Sequence, residues 1–130
     1  MDARTFILVQ AIIALVYAIG FLLIPGSLSE LYGAVATPSA LLAFRYFGVA
    51  LLGIGLIFWF AKDIGDQATR DALLTGAGSA NAVGVIVSLW GVIGGIMNPL
   101  GWTVVVLYVA LAAGCFYFRG HAERVLRFGR

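Results

Sequence analysis

The chain predicts an all-α fold, a bundle of four transmembrane helices with a short outer-surface helix between the first and second. Three observations carry that expectation. Of its 130 residues, 62% are hydrophobic and 11% charged, whereas soluble domains carry about 25% charged residues. The mean hydropathy is +1.05, so the apolar side chains exceed what one small water-soluble core could enclose. Finally, four apolar stretches each approach the roughly 20 residues that a helix needs to cross a bilayer.

In order along the chain, the first span covers about residues 5–24 and stops at Pro25-Gly26, a strong helix terminator. Ala34-Val35-Ala36 resembles a leader-peptide cleavage site but lies too far beyond the apolar run, so an uncleaved first span is expected. Ser27-Leu28-Ser29-Glu30 matches the S-x-x-E capping box and predicts a short helix over 28–33 lying along the surface. The second span, about 39–61, follows Pro38. The third, about 72–97, is broken by Asn98-Pro99, and the fourth covers about 100–118. The tail, 119–130, can extend the fourth helix, with Arg119–Glu123 and Glu123–Arg127 spaced four apart. Helices are expected throughout, because in lipid a lone segment satisfies its backbone only as a helix. Residues 1–130 thus read as a single membrane domain.

Charge sets the orientation. Arg4, Lys62, Arg70, Arg119, Arg124, Arg127 and Arg130 fall on one side, while the connections near 25–38 and 97–101 hold no basic residue. By the positive-inside rule both termini are cytoplasmic. Phe58-Trp59-Phe60 and Phe116-Tyr117-Phe118 then form an aromatic belt on that side, with Tyr32 and Trp102 near the other. The likeness of 55-GLIFWFAK-62 to 114-GCFYFRG-120 is open to two readings, a parallel duplication of hairpins or aromatic belts alone.

Helix association in lipid relies on close packing of small residues and a few polar contacts. The third span carries Gly76, Ala80, Gly84 and Ser88 at four-residue intervals, and Asn81 in mid-span can bond across to a neighbour. This span is therefore expected to be the most enclosed. Its ridge could equally mate with another protein.

Chemistry is sparse. The single histidine, His121, lies in the tail, the single cysteine, Cys115, lies in an apolar run, and the carboxylates fall in termini and connections. That distribution disfavours haem, metal centres, ion-coupled carriers and hydrolytic triads. No cofactor, metal or nucleic-acid partner is expected. Arg45 is the exception, a guanidinium about two turns inside the second span. An ionisable residue at that depth is a functional-site hypothesis by default. It could pair with Glu30, snorkel to a lipid phosphate, or line an outward-facing binding cleft with Tyr46, Glu30, Tyr32 and Trp102.

The elements 22-LLIPGSLSELYG-33, 45-RYFGVALLGIGLIFWFAKD-63 and 90-WGVIGGIMNPLGW-102 resemble a broad group of small, uncharacterised bacterial four-helix integral membrane proteins. That resemblance implies the same architecture and a bacterial inner membrane, and it carries no reaction. The expected role is a non-catalytic accessory or scaffold subunit packing against other membrane subunits or a copy of itself. The alternative is a protein that binds or transports a membrane lipid or small amphiphile at the cleft near Arg45.

Overall fold

A computed structural model describes the backbone of residues 1–128 and the side chains of residues 1–119. The chain is all-α: α1 (Ala3–Leu23), α2 (Pro25–Leu31), α3 (Pro38–Ala61), α4 (Gln67–Ile93) and α5 (Gly101–Phe128). Among the described residues there are no strands, and α1, α3, α4 and α5 are long and apolar enough to cross a membrane.

The helix boundaries are set by capping residues as well as by hydrocarbon. Asp2 accepts from the Thr5 amide at 2.8 Å to start α1, and Thr37 accepts from the Ala40 amide at 3.2 Å just before Pro38 to start α3. Both satisfy amides that lack a partner within the helix. Asp66 does the same for α4, accepting from the Thr69 amide at 2.9 Å. That cap starts α4 at Gln67, five residues before the apolar run expected from Ala72, so Arg70 and Asp71 belong to the helix. At its other end α4 stops at Ile93 rather than Met97. Gly95 takes φ +73°, and the Ile96 and Met97 amides turn back to the Gly91 carbonyl. This left-handed turn is open to glycine at little steric cost.

The short helix forms, but the S-x-x-E motif does not cap it. It begins at Pro25, whose fixed φ suits the first helical position, and the Ser29 hydroxyl donates to the Gly26 carbonyl. It ends at Leu31, and Gly33, two residues on, takes φ +80°.

Two antiparallel pairs build the bundle. Along α1 and α3, Gly48 lies against Phe21 and Leu22, Gly55 lies against Leu15, and Arg4 meets Asp63. Ala11, Ala14 and Ala18 are buried along α1, so the two backbones come close. Along α4 and α5, Gly78 lies against Cys115, Gly84 against the Tyr108 ring and Gly101 against Val92. The pairs meet through α1 and α5. Phe6 of α1 seats its ring edge over Gly114 and stands 5.0 Å from the Phe118 ring. Around it, Ile7, Ala11, Phe58, Leu74 and Cys115 bring all four long helices together at the end of the bundle that holds the N-terminus.

A larger share of α1 and α5 than of α3 and α4 is buried. The expectation that the third span is the most enclosed is therefore corrected: the centre belongs to α1 and α5, and α4 flanks them. The continuation of the fourth span as helix is observed through Phe128. The side-chain pairs Arg119–Glu123 and Glu123–Arg127, and His121, lie outside the described residues.

Candidate functional site

Three places in the bundle hold the side chains singled out above: the α2 end, the polar interior and the small-residue ridge of α4.

At the α2 end, the turn between α4 and α5 is fastened to α2 by Asn98. Its amide donates to the Tyr32 carbonyl at 2.9 Å and its side-chain Nδ2 to the Leu31 carbonyl at 2.9 Å, while its Oδ1 accepts from the Leu100 amide. Asn98 thus satisfies carbonyls left open where α2 ends and starts the turn into α5. Sequence reading found only a helix breaker there. An Asn one residue before Pro, next to a run of free carbonyls, was the available signal. Beneath this clasp the Tyr17 and Tyr32 hydroxyls meet at 3.5 Å, and Phe21 stacks among Tyr17, Phe44 and Phe47.

Arg45 does not pair with Glu30. Both are exposed, and neither side chain makes an ion pair or hydrogen bond with any described residue. The reason is angular. Helical geometry puts Arg45 about 60° round from Gly48, which faces α1, and so on the flank of α3. Glu30 sits on the outer side of α2, lining an open hollow of 370 Å³ with Gly26, Ala34, Val35 and Leu41. Leu41 is one turn above Arg45 on nearly the same face, which places the guanidinium just below the mouth of that hollow. Tyr46 is 69% exposed and directed away from α1, and Trp102 is exposed on α5. The five residues expected to share one cleft therefore divide. Glu30 and Arg45 border one flank of α3, Tyr32 is tied to Tyr17, and Tyr46 and Trp102 lie on outward faces.

The polar interior is smaller than the sequence count of polar residues implies. Thr75, Ser79 and Ser88 donate their hydroxyls to the carbonyls of Asp71, Thr75 and Gly84 in their own helix, which leaves little for a ligand. Asn81 does bond across, as expected, with its Nδ2 3.9 Å from the Cys115 sulfur on α5. The Cys115 thiol in turn donates to Gln10 Oε1 on α1 at 3.4 Å. Gln10 is itself buried. These three side chains link α1, α4 and α5 where bulk water is absent. One turn into α4, Asp71 keeps one buried carboxylate oxygen without a hydrogen bond, close to the positive start of the helix.

The α4 ridge is split. Ser88 is buried, and a Cβ added at Gly84 would meet the Tyr108 ring at 2.6 Å. Gly76 and Ala80 are exposed, and a Cβ at Gly76 would meet nothing within 4 Å. On α3, Gly53 is open in the same way, whereas Gly48 and Gly55 are filled by α1.

At the termini end, charge is arranged on the surface. Arg4 Nε stands 2.7 Å from Asp63 Oδ1, and Lys62 Nζ stands 3.3 Å from Asp63 Oδ2. Lys62 also donates to the Trp59 carbonyl and lies 4.8 Å from that ring's centre. The Arg4 guanidinium, with Lys62 beside it, holds the Asp63 carboxyl below its ordinary 3.8. Hydrogen bonds from Thr69 lower Asp66 likewise, and those from Thr5 lower Asp2.

No family model, curated protein or solved structure matches this chain. Function must be argued from these three places.

Proposed function

We propose that this is a non-catalytic accessory or scaffold subunit of a bacterial inner membrane, with both termini in the cytoplasm, that associates through the outward stretch of α4. The supporting observation is the split ridge. Gly76 and Ala80 leave a shallow, unfilled strip along a helix whose Gly84 and Gly78 are already matched by Tyr108 and Cys115. In lipid, such strips let two backbones approach and gain dispersion contacts that lipid tails make less well. Ala72, one turn before Gly76, and Val83, nearly one turn beyond Ala80, are exposed too, so the strip continues on both sides. The mate is a helix of another membrane subunit or of a second copy. The basic residues near the termini support the orientation.

The test is association in gently solubilised native membranes. Gly76→Leu is expected to abolish the assembly seen by native electrophoresis while the isolated chain stays folded, because a Cβ added there meets nothing within 4 Å. Unchanged migration of the variant, or a wild-type chain that runs alone and retrieves nothing, contradicts the scaffold role.

A second reading has its own support in Arg45. With Glu30 out of contact, this guanidinium lies among apolar neighbours on a lipid-facing flank and takes an anion from outside the chain. At that depth a lipid phosphate is the nearest chemistry, and guanidinium binds phosphate in two-point geometry. On this reading the α3 flank binds a membrane phospholipid.

A further inference from the structure

Resting on the lipid-binding reading, we infer that the α3 flank selects a phospholipid with an ammonium headgroup, such as phosphatidylethanolamine, in the leaflet at the α2 end. Two uncompensated charges stand in sequence along the bundle axis. Glu30 lines the 370 Å³ hollow together with Leu41, near the start of α3. Arg45 lies four residues along α3 from Leu41, which is about 6 Å deeper and about 40° round the helix. Neither side chain makes an ion pair or hydrogen bond with any described residue. The order from water to hydrocarbon is therefore anion, then cation.

An ethanolamine phospholipid presents the complementary order, with its ammonium toward water and its phosphate toward the chains. The ammonium enters the hollow and donates to the Glu30 carboxylate. The phosphate accepts from the Arg45 guanidinium, which extends along its apolar stem toward the rim. Below Arg45, Val49 and Leu56 continue the same flank of α3, 55% and 42% exposed, and give the acyl chains a track. A lipid carrying phosphate but no cation, such as phosphatidylglycerol, satisfies Arg45 but offers Glu30 only neutral hydroxyls in place of the ammonium. Its binding is weaker for that reason, because the carboxylate keeps its charge without a cation to meet it.

Native mass spectrometry of the full chain from detergent micelles, titrated with dioleoyl lipids, tests this. Phosphatidylethanolamine is expected to give adducts at several-fold lower concentration than phosphatidylglycerol, and dioleoylglycerol, which lacks the phosphate, to give none. Arg45→Ala should weaken both phospholipids about tenfold, with Arg45→Lys recovering part of the loss. Glu30→Gln should erase the preference between the two while keeping both bound. Neither exposed side chain has an ion pair or hydrogen bond to lose, so melting in lipid-free micelles should match wild type. Equal retention of both phospholipids by Arg45→Ala overturns the lipid-binding reading itself. Adducts that do depend on Arg45, but with no preference in wild type or a preference untouched by Glu30→Gln, overturn the headgroup assignment and leave the phosphate contact standing.

Discussion

Two stretches of α4 look alike in sequence and do opposite things. Gly84 and Ser88 turn inward, and the Tyr108 ring of α5 fills the space above Gly84. Gly76 and Ala80, from the same four-residue series, face outward with nothing over Gly76. The difference comes from helical phase. Each four-residue step advances about 40° beyond a full turn, so three steps from Gly76 to Ser88 carry the ridge about 120° round the helix. A ridge with this spacing winds off any straight contact. Half of it packs within the chain, and the other half is left for something else.

The strongest way to break this contrast is to fill the inner half. Gly84→Leu drives a side chain into the Tyr108 ring, and overpacking of this kind costs about 1–3 kcal/mol. The variant is expected to unfold at clearly lower denaturant in micelles, as read by circular dichroism. Gly76→Leu should leave that midpoint unchanged and act only on association. Equal destabilisation by both substitutions would remove the distinction between the two stretches.

A smaller effect is expected within the α4–α5 pair. Replacing Asn81 by Leu deletes the contact with Cys115 that helps join α4 to α5. Interhelical polar contacts in membranes average about 0.6 kcal/mol, so the expected loss in an unfolding titration is below about 1 kcal/mol. A much larger loss would mean that the Gln10–Cys115–Asn81 chain acts as one unit.

The smallest effect is at the termini end. Asp63 has a folded pKa below its ordinary 3.8, chiefly because of Arg4. A carboxyl shifted down adds stability that is fully present above the unfolded value and is lost as pH falls through the folded one. Stability should therefore decline slightly below about pH 4. Arg4→Gln should flatten part of that decline. The pair is exposed, so the change is small and weakens further in high salt.

Much of the fold was legible because the lengths of apolar runs and the prolines between them decide how many helices can cross a bilayer. The start of α4 was not, because Asp66 and Thr69 make it through hydrogen bonds that counting hydrocarbon does not register. The centre of the bundle was misplaced for a related reason. Small residues mark where helices can approach, but the ring of Phe6 over Gly114 decides that α1 and α5 meet. At the candidate site, Arg45 and Glu30 were both recognisable as unusual residues. That they stay unpaired was not, because sequence gives the depth of Arg45 along α3 but not the direction in which α2 turns Glu30.

Site-directed cross-linking in native membranes tests most directly whether the outward stretch of α4 is an association surface. Single p-benzoylphenylalanine replacements at Gly76 and Ala80, which on illumination insert into C–H bonds of any neighbouring chain, should each give a defined adduct. The same replacement at Val106, which is 65% exposed on α5, should give none. Absence of adducts at 76 and 80, or equal adducts at 106, would contradict the account.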